Sequence, residues 1–224
     1  MSELSIRVAA GLAAEVRVLV RRVPGNERER AAELAVRLAA EVAGVAPDRL
    51  RLDHEPDGRP VVRGARVEVS VSHGRGVIAA AASATAPVGV DVEVLRPLPV
   101  EMLARRWLRP DETEWIDRRA PAERSAAFLW LWTQKEAVGK AAGRGLAGGS
   151  GLLAAVPLPA CWPPPGGLFG NERPELSAVP GRADLAITAG LRAGLAVALA
   201  VAIPVPTAAH QQAGVGADQS SDTA

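Results

Sequence analysis

The amino-acid sequence predicts an α+β fold built from two similar halves in one chain. Short alternating strand patterns and amphipathic helical patterns both occur along it. A hairpin pattern at 69–80 returns at 185–198, each copy with an alternating strand, a glycine-bearing turn and an apolar return strand. A fresh strand pattern begins after Pro87, which indicates halves at 1–87 and 88–206. The alternative is that any two hairpins rich in alanine and valine look alike.

The first half begins with strand and helix patterns. Residues 4–23 alternate in part between apolar and charged side chains, which predicts strand structure. Apolar residues at helical spacing predict a helix over Glu27–Ala43 that ends at Gly44. Further strands are expected around 50–54, 68–72 and 77–83, with a turn at 57–60.

The second half opens with a clear strand at Val88–Val94. The apolar segment 185–203 could be mistaken for a membrane span, but Arg192 in its middle, flanked by glycines, favours a buried hairpin. The small, polar segment 207–224 is expected to be disordered. Helices are expected near 100–107, 110–119 and 122–142.

Composition narrows the functional classes. The chain has 224 residues and a net charge of +1, which argues against a nucleic-acid binder that works by bulk charge. Its single cysteine excludes an internal disulfide and offers no metal-site spacing. No basic region precedes an apolar run at the N-terminus, so a cytoplasmic protein without a membrane partner is expected.

Two acidic residues share one face of the strand at 88–94. Asp91 and Glu93 are two residues apart, so their side chains project together, about 6.5–7 Å apart along the strand. Two such carboxylates repel each other unless a cation or water separates them. Mg²⁺ commonly binds one or two carboxylates together with phosphates and waters. The alternative is a solvated pair at a sheet edge.

Lysine is rare in this chain, and both lysines lie in one predicted helix. Of 26 basic residues only Lys135 and Lys140 are lysines, and they flank Glu136. Glu136 and Lys140 are four residues apart and share a helix face. They follow the aromatic run at 128–132, which should be buried, so the pair is unusual for a solvated face. The alternative is an ordinary helix-stabilising pair in a chain that drifted toward arginine.

Two segments of the first half could also contact a ligand. Ser72 and His73 lie at a strand end before Gly74, where a histidine is exposed enough to meet a ligand. Arg59 lies in the stiff turn Gly58-Arg59-Pro60. Taken alone, the histidine is more often structural, and the arginine is better explained as part of a surface turn.

Together, these motifs resemble the Sfp-type 4′-phosphopantetheinyl transferases, in order, over about residues 26–203. Residues 88–93 match the family's Gly-(Ile/Val)-Asp-(Ile/Val)-Glu strand, and residues 132–140 match its Trp-(Ser/Thr)-x-Lys-Glu-(Ala/Ser)-x-x-Lys helix. Residues 58–60 resemble its Gly-Lys-Pro turn with arginine in place of lysine, and residues 70–73 its Ser-His strand end. The first half is short and lacks the family's upstream basic cluster.

The resemblance implies the two-half transferase fold and transfer of the 4′-phosphopantetheine arm of coenzyme A to a serine of an apo acyl or peptidyl carrier protein. Mg²⁺ would be required and adenosine 3′,5′-bisphosphate released. The first half would hold the coenzyme A nucleotide, and the second the metal and the catalytic residues. With two halves in one chain, a monomer is expected. The acceptor could belong to fatty-acid, polyketide or nonribosomal-peptide synthesis.

The same resemblance assigns roles to individual residues. Glu136 would act as the base, with Lys140 and Glu112 as further catalytic residues, Glu112 helping to position the acceptor. The metal ligands would be Asp91, Glu93 and Glu136. The coenzyme A ligands would be Arg28, Arg59, Ser72, His73, Lys135 and Lys140.

Two other functions fit parts of the pattern. A non-catalytic relative that binds a carrier protein or coenzyme A should have lost an acid or a lysine of the motifs, and none is lost. A different Mg²⁺-dependent phosphoryl-transfer enzyme could share the Asp-x-Glu pattern, but it would act on small acceptors.

Overall fold

The computed structural model describes residues 3–10, 14–143, 154–165, 174 and 176–203, with side chains from Val16 onward. Within these residues the chain forms two four-stranded antiparallel sheets, a small hairpin and four α-helices. The predicted α+β class is therefore confirmed. The segment 207–224, for which disorder was expected, lies outside the described residues.

The first sheet has the strand order β1-β2-β6-β5 and carries helix α1. Helix α1 ends at Gly44, whose left-handed φ of 67° matches the predicted stop. Strand β4 pairs with β3 as a separate hairpin and was not predicted. The elements are β1 Glu3–Ala10, β2 Ala14–Arg22, α1 Glu27–Ala43, β3 Arg51–His54, β4 Pro60–Arg63, β5 Glu68–Gly74 and β6 Val77–Ser83.

The second sheet has the order β7-β10-β9-β8 and carries three helices. Strands β9 and β10 form the predicted hairpin. No helix in the described part of the chain is long and apolar enough to cross a membrane. The elements are β7 Val88–Val94, α2 Val100–Trp107, α3 Pro110–Asp117, α4 Arg124–Ala141, β8 Ser177–Val179, β9 Arg182–Arg192 and β10 Leu195–Ala202.

The two sheets pack face to face, and the helices cover their outer faces. Alternate side chains of both sheets fill the core between them, including Val18, Val77, Val90, Val92, Val197 and Leu199. Helix α1 packs on the outer face of the first sheet, and α4 on that of the second. Each predicted half thus contains a four-stranded sheet and a packed helix. An approximate twofold relation, and the division at 1–87 and 88–206, stay predictions.

Helix α4 lies very close to strand β7 at Gly89. A Cβ atom added there would lie 2.0 Å from the carbonyl oxygen of Ala137 and 2.5 Å from the amide nitrogen of Ala141. Glycine permits this approach because it carries no side chain. The last two turns of α4, with Glu136 and Lys140, therefore lie against the strand that carries Asp91.

Candidate active site

Strand β7 and helix α4 bring Asp91 and Lys140 into contact. The Lys140 ammonium lies 2.7 Å from Oδ1 of Asp91 and donates to the Val90 carbonyl oxygen at 3.0 Å. The Asp91 carboxylate is buried, whereas about a quarter of the Lys140 side chain (24%) is exposed. The Lys140 ammonium is thus held in place, and its side chain is still accessible to a ligand.

Glu136 is a buried carboxylate beside this pair. Burial, followed by the negative charge of Asp91, raises its pKa from the ordinary value of 4.5 to about 7. Lys140 opposes this rise, and Glu93 adds to it. Among the described residues, no side chain or backbone group forms a hydrogen bond or ion pair with the Glu136 carboxylate. A carboxylate that titrates near neutral pH suits proton transfer.

Glu93 has its own cationic partner. Its Oε2 atom lies 2.6 Å from Nη1 of Arg96, which also donates to the Val94 carbonyl oxygen at 2.9 Å. The Glu93 charge still reaches Glu136 and raises the pKa of that carboxyl. Sequence reasoning missed Arg96, although its position three residues after Glu93 was a usable signal.

Two carboxylates of the cluster suit Mg²⁺ as ligands. No three His, Cys, Asp or Glu side chains of the described residues form a ready metal-binding group. Asp91 and Glu136 nevertheless offer hard oxygen donors, and Mg²⁺ is often bound by one or two carboxylates plus substrate phosphates. A cation between them would also relieve the repulsion that raises the pKa of Glu136. This donor pair fits Mg²⁺, whereas Glu93 is engaged with Arg96.

Ser72 lies beneath the carboxylate cluster and not in an open cleft. It is buried, its hydroxyl donates to Oδ1 of Asp91 at 2.7 Å, and its oxygen accepts from the Val92 amide at 3.3 Å. The expected contact of its side chain with the coenzyme A nucleotide is therefore not supported by this placement.

Arg28 and His73 meet in one open cleft of about 750 Å³. The cleft lies between the start of α1 and the ends of β3 and β5, which brings together two residues far apart in sequence. His54, which was not among the expected site residues, also lines it. The sequence offered one signal for His54: like His73, it lies at or near the end of a strand.

Arg59 is located near the end of α4. Its Nη2 atom pairs with Oε2 of Glu68 at 2.5 Å. A Cβ atom added to Gly143 would lie 3.4 Å from Nη1 of Arg59. Arg59 therefore does not join Arg28 and His73 among the residues that line the cleft.

Lys135 and Glu112 form a pair that is separate from the cluster. The Lys135 ammonium lies 2.8 Å from Oε2 of Glu112, and the two side chains are 0% and 1% exposed. Lys135 also donates to the Ala154 carbonyl oxygen at 2.8 Å, and burial lowers its pKa. Fully enclosed side chains cannot contact a phosphate or an acceptor in this conformation. The direct roles expected for Lys135 and Glu112 stay predictions, which this enclosure does not favour.

Comparison with known proteins agrees with the motifs. Residues 87–174 match the family model of the 4′-phosphopantetheinyl transferase superfamily. The matched segment is 88 of the 224 residues, so the similarity to this superfamily is shown for that part of the chain. It is 33% identical over 109 residues to 4′-phosphopantetheinyl transferase HetI of Nostoc sp., covering 46% of each protein. It is 29% identical over 146 residues to 4′-phosphopantetheinyl transferase of Bacillus subtilis, covering 62% of this chain and 64% of the relative.

The superfamily match covers one half of the candidate site. It contains β7, the three helices α2, α3 and α4, and therefore Asp91, Glu136 and Lys140. The residues that line the cleft, including Arg28 and His73, precede residue 87, where the match begins. The chain spans about half the length of the first two curated relatives it matches, 46% and 49%.

Proposed function

We propose that this protein transfers the 4′-phosphopantetheine arm of coenzyme A to a serine hydroxyl of an apo acyl or peptidyl carrier protein. The reaction uses Mg²⁺ and releases adenosine 3′,5′-bisphosphate. The cluster of Asp91, Glu136 and Lys140 carries the proposal, because β7 and α4 build it within the segment that matches this superfamily. A cytoplasmic monomer without nucleic-acid or membrane partners remains the expectation.

The cleft of the first half is the proposed site of the nucleotide. Its volume lies in the range of small-molecule sites, and Arg28, His54 and His73 offer donors to an anionic ligand. The cleft is linked to the cluster through neighbouring residues of β5, because His73 lines the cleft and Ser72 contacts Asp91. One bound coenzyme A could therefore have its nucleotide in the cleft and its diphosphate near the cluster.

The residues of the cluster have complementary tasks. Lys140 can donate to a phosphate oxygen on which negative charge develops, since its ammonium is held by Asp91 and Val90 and is partly exposed. Asp91 and Glu136 would hold Mg²⁺, which when bound neutralises charge on diphosphate oxygens. Glu136 would take the proton of the serine hydroxyl. Both tasks of Glu136 need its ionised form, which a bound cation would favour.

The test is the intact mass of an apo carrier protein after incubation with this chain, coenzyme A and Mg²⁺. The proposal expects a mass increase of one phosphopantetheine group on the carrier serine, and none in reactions that lack Mg²⁺ or, over the same short incubation, use Lys140→Arg. Coenzyme A binding without a mass increase on any carrier would favour the non-catalytic relative. Modification of a small acceptor alone would favour a different phosphoryl-transfer enzyme.

A further inference from the structure

Two serines of β5 bridge the edges of the two sheets. Strands β5 and β7 are edge strands of different sheets. Ser70 Oγ accepts a hydrogen bond from the Val90 amide at 3.0 Å, and Ser72 Oγ accepts one from the Val92 amide at 3.3 Å. Both serines are buried. Being two residues apart, they lie on one face of the strand and satisfy two edge amides of β7 in the same way.

Only Ser72 reaches the carboxylate cluster. Its oxygen accepts from the Val92 amide, and its hydroxyl proton is donated to Oδ1 of Asp91 at 2.7 Å. The same Oδ1 accepts from Lys140 at 2.7 Å. Among the described residues no group donates to Oδ2 of Asp91. One carboxylate oxygen is thus held by two donors, and the other is left for a further ligand.

We infer that Ser72 is a positioning residue for Asp91: it fixes Oδ1 so that Oδ2 can bind a divalent cation. The inference rests on the proposed function. The serine hydroxyl suits this task because it orients the carboxylate without adding positive charge beside a cation. Hydrogen bonds to metal-binding side chains commonly contribute about 10- to 100-fold to metal affinity. The resemblance instead assigned Ser72 to the nucleotide, which its burial does not favour.

The two serines provide a matched pair of variants. Ser70→Ala and Ser72→Ala each remove one buried hydroxyl that accepts from a β7 amide. Only Ser72→Ala removes a donor to Asp91. Binding of Mn²⁺, used as the spectroscopic probe, is measured on the full chain by electron paramagnetic resonance, with and without coenzyme A. We expect about 10- to 100-fold weaker Mn²⁺ binding in Ser72→Ala, and the wild-type value in Ser70→Ala.

The outcomes separate this inference from the proposed function. Equal Mn²⁺ affinity in the two variants overturns the role of Ser72 while wild-type transfer to a carrier can still stand. Mn²⁺ binding without any transfer to carriers defeats the proposed function and leaves the positioning role intact. Absence of Mn²⁺ binding in the wild type defeats both. If Ser72→Ala does not fold, Ser72→Cys replaces it, because a thiol of similar size is a weak donor and predicts the same loss.

Discussion

Both lysines of helix α4 pair with a carboxylate of another element, and the two pairs lie in different surroundings. Lys135 and Glu112 are 2.8 Å apart and enclosed, with 0% and 1% of their side chains exposed. Lys140 and Asp91 are 2.7 Å apart, and 24% of the Lys140 side chain is exposed. The bond lengths are alike, so the difference lies in access. An enclosed pair can only support the fold, whereas a partly exposed one can exchange part of its solvation for a ligand.

The two lysines also connect helix α4 to different parts of the chain. Lys135 connects α4 to α3 through Glu112 and to the chain at Ala154. Lys140 connects α4 to β7 through Asp91 and Val90, beside the carboxylate whose pKa is raised to about 7. We therefore assign the first pair to the architecture of the second half and the second pair to the chemistry.

The largest effect is expected when Lys135, the cation of the enclosed pair, is replaced. Lys135→Met should lower the free energy of unfolding by about 3–5 kcal/mol, because Glu112 would remain buried without its partner. Urea unfolding measures this loss. In the double variant Lys135→Met/Glu112→Gln most of it should return, since no buried charge remains and the introduced amide oxygen can still accept from the Arg109 amide. A double variant as unstable as the single one would contradict this interpretation.

Lys140→Arg examines the other pair. The larger, planar guanidinium should misfit at Asp91 and Val90, so we expect kcat/KM for carrier modification to fall about a hundredfold, or about 3 kcal/mol of transition-state stabilisation. Unfolding should change far less than in Lys135→Met, because Lys140 is partly exposed. Wild-type activity in this variant would mean that Lys140 only holds α4 against β7 through Asp91 and Val90.

Sequence reasoning predicted local features well. It predicted β7 with its bounds, α1, α2 and the hairpin of β9 and β10, since periodicity and glycine turns are visible in a short window. It also predicted that Asp91, Glu136 and Lys140 belong to one site. It missed β4, a four-residue strand that begins with proline and is stabilised by pairing with β3.

The roles of the two lysines were harder to predict. Five residues along a helix correspond to a turn of about 140° beyond one full circle, so Lys135 and Lys140 cannot share a face. That signal was available in the sequence. The partner of Lys135 was not, because Glu112 reaches it only through the packing of α3 on α4. Burial of Ser72 likewise depends on how two sheet edges meet.

Glu136→Gln should change how the free energy of unfolding depends on pH, because the pKa of Glu136 is raised in the native state. The native state holds an extra proton between pH 4.5, the ordinary pKa, and about 7, so wild-type stability should fall as pH rises through this window. Relative to the wild type, Glu136→Gln should be more stable above pH 7 by up to about 3 kcal/mol and equal below pH 4.5. Urea unfolding without Mg²⁺ checks this, and parallel pH profiles would contradict it. Transfer activity should be lost.

The smallest change in the free energy of unfolding is expected for an exposed ion pair. Arg105 and Glu101 on α2 are 2.8 Å apart with 73% and 78% of their side chains exposed. Arg105→Ala should change the free energy of unfolding by less than about 0.5 kcal/mol, because solvent and salt screen such pairs. A loss similar to that of Lys135→Met would show that distance, and not burial, decides the contribution of these pairs.

Lys140 is assigned to the chemistry and Lys135 to the architecture, and one measurement tests this difference directly. The initial rate of phosphopantetheine transfer to an apo carrier is compared for the wild type, Lys140→Arg and the folded double variant Lys135→Met/Glu112→Gln. We predict a rate close to wild type in the double variant and about a hundredfold loss in Lys140→Arg. A folded double variant that cannot transfer, beside an active Lys140→Arg, would contradict the assignment.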